Sequence, residues 1–433
     1  MSVQQENKMQ PIAFEECAPP MRPEEAPDPY AQAIGDIDPT LQIRFQHDLQ
    51  DRVFARLRKE APVHYLSRSQ HGPLWSITKF RDIVDVELDH KTFSSDVKYG
   101  GILITDVPKN LRRMNFINSD PPRHDEQRKV VSPVVSPMNM HRMEACIRSE
   151  VTQILDSLPV GETFDWVDRV SIEVTNRVLS ELLDTPREDR RWLTAWSDLA
   201  NLDLQVGGDI DSEEKRFARL ADCAAYFARL FNERKKKDPG PDLISMLAHS
   251  PLTAEMDSQE FLGMILLLLI GGNDTTRNSI TGGLLALTQF SDQYARLRAE
   301  PALVTSLVPE IIRWVTPVVQ QRRTVTRDTE FRGMSMKEGD KVVLWYISAN
   351  RDEDAITDPF QFNVARENPR NHLSFGMGIH RCLGNRLAEL QLKILWDEIL
   401  QRNWLIEVTG PAKRKYANNI RGFSSLPVRI TKA

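Results

Sequence analysis

The sequence has few cysteines and no long apolar run. Its four cysteines, Cys17, Cys146, Cys223 and Cys382, are widely scattered without a Cys-x-x-Cys pair, which excludes a disulfide framework and a cysteine-based zinc site. The nine histidines show no His-x-x-x-His spacing. The longest apolar run, Phe261–Gly272, has twelve residues and ends at Asn273-Asp274, so it is too short to cross a bilayer and predicts a buried helix.

Strong charge and targeting signals are also missing. The formal net charge is −5, which provides no overall attraction to nucleic acid or anionic lipid, so we expect neither as a partner. The first residues lack the apolar core of a signal peptide, and we therefore expect a cytoplasmic protein without a membrane anchor. Hydrophobic content of 41% and charged content of 27% are typical of a globular protein with an ample core.

The hydrophobic patterns predict a mainly α protein with a minor β region. Residues 1–40 are rich in proline and predict an irregular arm, followed by one domain over 41–433. Two short apolar strands, Val63–Leu66 and Leu74–Thr78, predict a hairpin joined through Gly72-Pro73. Helices are predicted over Arg142–Leu158, Val167–Leu183 and Glu213–Lys236, and the charged run Lys235–Pro241 predicts a break before the next helix.

A longer helix is predicted to begin at Asp257-Ser-Gln-Glu260, which has the spacing of a capping box, and to continue to about Phe290. Short β-rich pieces follow at Thr324–Thr326, Lys341–Tyr346 and Val428–Ile430.

A glycine-rich loop near the C-terminus carries the most chemical information. It runs Phe375-Gly-Met-Gly-Ile-His380-Arg-Cys382-Leu-Gly384 and leads directly into a helix-forming segment. The positive end of that helix would stabilise a thiolate and lower the pKa of the cysteine, and glycines would let the backbone approach a flat macrocycle. A lone cysteine is more often an inert buried residue, but this one lies among fixed aromatic, glycine and histidine positions. The loop therefore predicts an axial thiolate for haem iron.

The predicted long helix contains an unusual polar segment, Gly271-Gly-Asn-Asp274-Thr275-Thr276. Two glycines in a helix interior cost roughly 1 kcal/mol each relative to alanine. One interpretation is a helix kink in which a threonine bonds back to a carbonyl one turn earlier. The other is a groove that admits dioxygen, with Thr275 hydrogen-bonding to it and Asp274 delivering protons.

Two further charged motifs stand at helical spacing. Glu310 and Arg313 are three residues apart, which alone indicates an ordinary surface pair. His124 and Arg128 are four apart on one helix face and could meet two carboxylates, for which the planar fork of arginine is suited.

Together these motifs make the chain resemble the haem-thiolate monooxygenases of the cytochrome P-450 family, from about Asp48 to the C-terminus. The signature Phe-Gly-x-Gly-x-x-x-Cys-x-Gly is met at every fixed position. The resemblance implies a triangular helical prism with a long central helix over the haem and Cys382 as axial ligand. It also implies oxygen activation by Asp274 and Thr275, and a structural Glu310–Arg313 pair locked to Arg366.

The resemblance also implies the cofactors and partners. Haem b would be held by Phe375, Cys382 and Gly384, with His124, Arg128, Arg323 and His380 at its propionates. The oxidant would be O2. Electrons would come from NAD(P)H through a reductase and a ferredoxin, as in the soluble bacterial type. Candidate basic contacts for the ferredoxin are Lys129, Arg381, Arg386 and Lys393, and we expect a monomer.

Substrate contacts are placed by the same resemblance on mostly aliphatic positions. They are Tyr99, Ile102, Leu103, Leu199, Val206, Leu267, Gly271, Val318, Val319 and Phe423, each of which could also be plain core. An apolar pocket would suit a small hydrophobic substrate with an aliphatic chain.

Finer similarity indicates the branch that oxidises the terminal carbon of n-alkanes and fatty acids. It lies in the runs Phe116–Arg128, Gly271–Ser279 and His372–Glu389. The alternative within enzymes is a hydroxylase of a terpenoid, steroid or aromatic substrate. A more distant alternative is a non-catalytic haem sensor, against which the Asp274–Thr275 pair argues because a sensor needs no proton relay.

Overall fold

The computed structural model describes residues 21–204 and 209–432. About 52% of the protein is helical, with a smaller sheet content, as the sequence predicts. The α-helices of the described residues are α1 Gln42–Gln46, α2 Gln50–Glu60, α3 Phe80–Leu88, α4 Arg123–Val131, α5 Pro137–Asp156, α6 Glu173–Leu183, α7 Arg190–Asn201, α8 Glu213–Arg219, α9 Ala221–Arg234, α10 Leu243–His249, α11 Ser258–Gln289, α12 Ser291–Ala299, α13 Val304–Val315, α14 Tyr346–Ala349 and α15 Asn385–Gln401.

The strands form four small sheets. They are β1 Val63–Leu66, β2 Leu74–Ile77, β3 Phe93–Ser94, β4 Thr163–Asp165, β5 Gln321–Val325, β6 Thr329–Phe331, β7 Met334–Met336, β8 Lys341–Leu344, β9 Trp404–Val408, β10 Lys413–Arg414, β11 Phe423–Ser425 and β12 Pro427–Lys432. The largest sheet has the order β1-β2-β8-β5-β3, with β2 and β8 parallel and the other pairs antiparallel. The predicted hairpin is thus confirmed as β1 and β2.

Helix α11, with 32 residues, is the longest helix of the described part of the chain. Its N-cap is Asp257, whose carboxylate accepts the backbone N–H of Glu260 at 2.8 Å. The Glu260 side chain does not return to the cap, as a capping box requires, but bonds to Arg123 and Gln127 on α4. Largely apolar faces of α6, α7, α13 and α15 surround α11 and bury most of its length in the main core.

Asn278 joins α11 to the C-terminal strands. Its amide nitrogen donates to the carbonyl of Asp274 at 2.8 Å, and its amide oxygen accepts the backbone N–H of Phe423 at 3.0 Å. The segment β11 therefore lies directly against the central helix.

Three helix predictions differ in their bounds. The helix predicted as Arg142–Leu158 is α5, Pro137–Asp156. The segment predicted as Glu213–Lys236 is two helices, α8 and α9, separated at Leu220. The segment predicted as Val167–Leu183 begins with a π-helix, Val167–Ile172, before α6. The predicted break at Lys235–Pro241 is confirmed, since α9 ends at Arg234 and α10 begins at Leu243.

The described part of the proposed N-terminal arm carries two short 3-10 helices, Pro23–Glu25 and Ile34–Asp36. It is held to the rest of the protein because Arg44 donates to the carbonyl of Pro27 at 3.0 Å. The division into an arm and a single domain at residue 40 stays a prediction. Over 21–204 and 209–432, no helix has both the length and the apolarity that crossing a membrane requires.

Candidate functional site

A cavity of about 500 Å³ lies between the middle of α11 and the cysteine loop. Thr275 and Gly271 of α11 line one side of it, and Phe375, Cys382 and Gly384 line the other. The two motifs that the sequence singles out, more than a hundred residues apart, therefore face each other across one space.

Cys382 presents its sulfur to this cavity. Cys382 lines the cavity and is exposed there. The backbone N–H of Cys382 donates to the carbonyl of Phe375 at 2.8 Å, which closes the loop. Burial raises the pKa of the thiol, and hydrogen bonds from the N–H groups of Gly384 and Asn385 oppose that shift. The expectation of a lowered pKa was therefore wrong for the thiol itself; bonding to a metal would deprotonate it.

The loop glycines serve a different purpose from the one expected. Gly376 and Gly378 adopt φ of +64° and +65°, which L side chains rarely reach. A Cβ on Gly378 would lie 2.7 Å from the carbonyl oxygen of Glu87, so this glycine is required by α3 and not by a macrocycle. Of the three loop glycines, Gly384 is the one whose added Cβ would meet nothing within 4 Å. It lines the cavity, so space for a flat group exists there.

Two of the four predicted propionate partners, Arg128 and His380, line one edge of the cavity, and His124 packs against His380. The rings of His124 and His380 are 4.6 Å apart, edge to face, and Arg128 donates to the carbonyl of Arg381 at 2.6 Å. Both ring nitrogens of His380 and Nε2 of His124 are buried without a partner in the described residues. Burial lowers the pKa of His380 to about 2, so its ring is neutral and one nitrogen is ready to donate to an anion.

The fourth, Arg323, is engaged elsewhere. Its guanidinium lies 3.2 Å from a carboxylate oxygen of Glu87, which also accepts the hydroxyl of Tyr346 at 2.6 Å. Arg323, a residue of β5, is buried against Glu87 of α3 and is not among the residues that line the cavity. Burial raises the pKa of Glu87, while Arg323 opposes the shift. The structure thus places Arg323 next to the cysteine loop through Glu87.

On the opposite side of the cavity, the hydroxyl of Thr275 donates to the carbonyl of Gly271 at 3.2 Å. This is the back-bonded arrangement of the simpler interpretation. The threonine also lines the cavity, and its role in oxygen activation stays a prediction. Gly271 has nothing within 4 Å of an added Cβ, so the helix leaves open space at this turn.

Asp274 is buried and lies at one end of a charged chain. Its carboxylate accepts from the amide of Asn201 and from the guanidinium of Arg277. Arg277 also donates to Asp198 at 2.6 Å, and Lys415 approaches Asp198 at 2.9 Å. Asp198 and Lys415 are about a quarter to a third exposed, at 30% and 27% of their side chains, so the chain connects Asp274 to the surface.

The predicted structural set comes together in the core. Arg313 donates two hydrogen bonds to Glu310, at 2.8 and 2.9 Å, and Arg366 donates to the same carboxylate at 2.8 Å. The Glu310 and Arg313 side chains are fully buried, so this is not the surface pair that the spacing alone indicates. Arg313 also donates to the carbonyls of Asn350 and Pro359. The contacts suit the structural role proposed for these residues.

Five of the predicted pocket residues line the cavity: Ile102, Leu103, Leu267, Gly271 and Val318. Val206 lies outside the described residues. Leu199 and Tyr99, which were also predicted to contact substrate, do not line the cavity. Leu199 of α7 is buried in the main core, and the next residue, Ala200, takes its place in the lining. Tyr99 packs its ring against the ammonium of Lys98, 4.9 Å away, and is not in the lining.

Val319 and Phe423 are also absent from the cavity wall. Val319 is fully buried in the cluster that includes Trp345, on the sheet side of the segment whose other face presents Val318. The ring of Phe423 stacks under the guanidinium of Arg414, 4.1 Å from its centre. Neighbours of Tyr99, Leu199 and Val319 line the cavity, whereas no residue of 423–426 does.

Several site residues escaped the sequence analysis. Arg277 could have been found, because it stands three residues after Asp274, as Arg313 does after Glu310. Asn201, Asp198 and Glu87 reach the site from distant helices, and no local pattern marks them.

The site fits a haem group. It offers a cavity-facing sulfur, open space at Gly384, and an edge where histidine nitrogens and Arg128 await carboxylate partners. A helical protein with a cysteine below a cavity and an acid–alcohol pair above it is a haem-thiolate protein in its architecture.

The comparisons with known proteins define the family. The cytochrome P450 family model matches residues 209–430. The chain is 33% identical to linalool 8-monooxygenase of Pseudomonas putida over 87% of this chain and 94% of that protein. It is likewise 33% identical to a methyl-branched lipid omega-hydroxylase of Mycobacterium tuberculosis, over 88% of this chain and 91% of that protein.

Among solved structures, cytochrome P450-153 from Novosphingobium aromaticivorans is similar with a TM-score of 0.87. The two are 43% identical, over 91% of this chain and 99% of that chain. The chain belongs to the cytochrome P450 family and has the fold that the sequence predicts. Membership implies a monooxygenase that uses haem and dioxygen, with electrons supplied through a reductase.

Proposed function

We propose that this P450 monooxygenase hydroxylates the terminal carbon of linear aliphatic chains, either n-alkanes or fatty acids. The observation that carries the proposal is the aliphatic wall around Thr275. Its members are Ile117, Leu179, Leu182, Leu266, Leu267, Ile270, Val318 and Ile420. Such a wall binds hydrocarbon by removing it from water, at about 0.8 kcal/mol per methylene. The omega-hydroxylase relative supports the same position of attack.

A terminal methyl group has stronger C–H bonds than its neighbours, so attack there requires that the protein position it. The aliphatic wall does this by restricting how the chain end lies beside α11, a geometric contribution to rate. The open turn at Gly271 leaves room for the reacting end of the substrate next to Thr275.

Four side chains would hold the haem. Cys382 would provide a thiolate to the haem iron, and His380, His124 and Arg128 would bind the haem carboxylates at the edge of the cavity. When bound there, haem supplies the iron that activates dioxygen for insertion of one oxygen atom. The aliphatic wall keeps bulk water away from this region.

The acid–alcohol pair would manage protons. The hydroxyl of Thr275 would hold a hydrogen bond to bound dioxygen, after giving up its bond to the carbonyl of Gly271. Asp274 would pass protons to that hydroxyl, and the chain of Arg277 and Asp198 would connect Asp274 to solvent.

Electrons would arrive from NAD(P)H through a reductase and a ferredoxin at the cysteine side. Lys129, Arg381 and Arg386 are exposed there and carry no carboxylate partner in the described residues, whereas Lys393 is paired with Asp397 at 2.7 Å. The first three therefore remain candidates for contact with an acidic ferredoxin.

The proposal predicts a chain-length series. In titrations of the ferric protein, monitored by Soret absorption, n-alkanes and fatty acids should shift the haem toward high spin. The dissociation constant should fall about fourfold per added methylene until the cavity is filled, because each buried methylene contributes about 0.8 kcal/mol. A response to a monoterpene alone, with linear chains silent, would refute terminal attack on linear chains.

That outcome would favour the second candidate, a terpenoid hydroxylase. The linalool 8-monooxygenase relative supports it, at the same 33% identity as the omega-hydroxylase. Comparing the products from a fatty acid and from linalool distinguishes the two.

Thr275→Ala should separate electron use from product formation. We expect unchanged haem content and substrate binding, since over 21–204 and 209–432 the hydroxyl makes one hydrogen bond, to the Gly271 carbonyl, but a large share of NAD(P)H should yield hydrogen peroxide. Product formed per NAD(P)H is the measurement, and Thr275→Ser should restore most of the yield. Full coupling in Thr275→Ala would show that the hydroxyl has no part in proton delivery.

A further inference from the structure

Arg113 is a charged residue in the wall of an otherwise largely apolar cavity. It lies on the loop before α4 and lines the same space as Thr275. An arginine carries five N–H donors, yet the structure gives Arg113 a single bond, to the carbonyl of Ala200 at 3.1 Å. In the chain as described, 21–204 and 209–432, no carboxylate forms an ion pair with it.

The neighbouring charges do not neutralise it. Arg216 lies close to Arg113 and is already paired with the nearby carboxylate of Glu213, to which it donates at 2.8 Å. Burial, together with the charge of Arg216, lowers the pKa of Arg113 to about 10. Asp203 also lines this end of the cavity, and burial raises its pKa to about 6, so it is mostly ionised near neutral pH; the positive charge that acts on it is that of Arg216 and not of Arg113. An incoming anion would therefore be attracted here.

The adjacent Arg112 shows what a structural arginine looks like on the same loop. It donates to the carbonyls of Val107 and Val97, at 3.0 and 2.7 Å, and so holds the loop together. Arg113 makes no such set of bonds, and its free donors are explained by a ligand rather than by folding.

The loop that carries Arg113 is fixed to α11 at Gly263, whose carbonyl accepts the amide of Asn115 at 3.0 Å. Gly263 precedes Thr275 by twelve residues, which is about 18 Å along a helix. From this loop the guanidinium of Arg113 reaches the carbonyl of Ala200, so it meets the cavity at the wall formed by α7.

We propose that Arg113 binds the carboxylate of a fatty acid whose terminal carbon lies beside Thr275, so that acids are preferred to n-alkanes. A guanidinium suits this task because its fork can hold both carboxylate oxygens. The inference rests on the proposed terminal hydroxylation and names the head group that orients the chain.

The test compares tetradecanoic acid, tetradecan-1-ol and n-tetradecane by Soret titration of the haem-loaded protein. Arg113→Gln should weaken binding of the acid by about ten- to a hundredfold, the range of a charged hydrogen bond, and change the other two less than about threefold. Arg113→Lys should recover part of the affinity for the acid. The control Lys109→Gln removes a charge from an exposed position on the same loop and should change nothing.

Product analysis adds a second readout. From the acid, Arg113→Gln should give more oxidation away from the terminal carbon, because the anchored head group no longer limits sliding. Unchanged acid affinity in Arg113→Gln, or equal weakening of acid and alkane, would overturn the role of Arg113 while leaving terminal hydroxylation intact. If the unmodified protein responds to none of the three compounds, the proposed function fails, and the inference fails with it.

Discussion

Glu310→Gln should lower the free energy of unfolding by about 3 kcal/mol, the lower end of the cost of breaking a buried ion pair. The substitution keeps the size of the side chain but leaves the fully buried guanidinium of Arg313 and the largely buried one of Arg366 without their shared anion. Chemical denaturation of the purified variant and of the unmodified protein measures the difference. An effect below about 1 kcal/mol would mean that the triad is not a major support of the cysteine region.

A surface pair provides the control. Glu233 and Arg229 stand 3.4 Å apart on an exposed face of α9, and Glu233→Gln should cost well under 1 kcal/mol.

The effect of Glu310→Gln should also depend on pH. Burial would raise the pKa of Glu310, but Arg313 and Arg366 outweigh it and hold the pKa below the ordinary 4.5. The stabilisation is therefore complete above pH 4.5 and is lost as the pH falls through the folded pKa, so the two proteins should converge in acid.

Asp274→Asn should reduce product formation by about a hundredfold, since proton transfer by a placed side chain contributes about 10² to 10⁴. Asparagine has nearly the same shape and its single amide oxygen can still accept from Arg277, while Asn201 must turn its own amide oxygen toward the new NH2 group; the asparagine cannot pass a proton. Turnover with saturating substrate and redox partners is the measurement, and substrate affinity should be unchanged. Turnover near that of the unmodified protein would remove Asp274 from the proposed relay.

Asp198→Asn tests whether such a loss comes only from disturbing Arg277. Like Asp274→Asn, it removes an anion from that guanidinium, but it leaves the Asp274 carboxylate in place. We expect a clearly smaller loss of turnover. Equal losses, with an equal fall in thermal stability, would indicate that the carboxylates serve to hold Arg277 in place.

Structural features that are encoded by consecutive residues could be predicted from the sequence. The bounds of α11 follow from the Asp257 cap and a continuous run of helix-forming residues, and the observed end, Gln289, is one residue from the expected end. The break at Leu220 was missed because the helical pattern continues through it, and the interruption is a matter of tertiary packing. The π-helix before α6 has no local signal for the same reason.

The site divides in the same way. Cys382, Thr275 and Asp274 lie in short motifs whose chemistry is visible in the residues themselves. Arg323 was assigned to the cavity because nothing in its neighbourhood reveals Glu87, which is more than two hundred residues earlier and holds it back.

In two pocket segments the residue predicted to face the cavity is one position away from the residue that does. At Leu199 and Val319 the predicted segment is right, but the neighbouring Ala200 and Val318 face the cavity. In a helix or extended segment, a shift of one position turns a side chain toward another face, and an apolar sequence suits both faces equally.

The contact of Asn278 with Phe423 has a consequence for recombining this enzyme with its relatives. If the last strands alone were exchanged, the amide oxygen of Asn278 would face the backbone of another protein. The amide nitrogen of Asn278 is already bonded to the carbonyl of Asp274. Chimeras with a crossover between these two positions should survive when both parents carry asparagine at the first, and fail more often otherwise. The C-terminal segment is thus inherited together with the central helix as one exchangeable block.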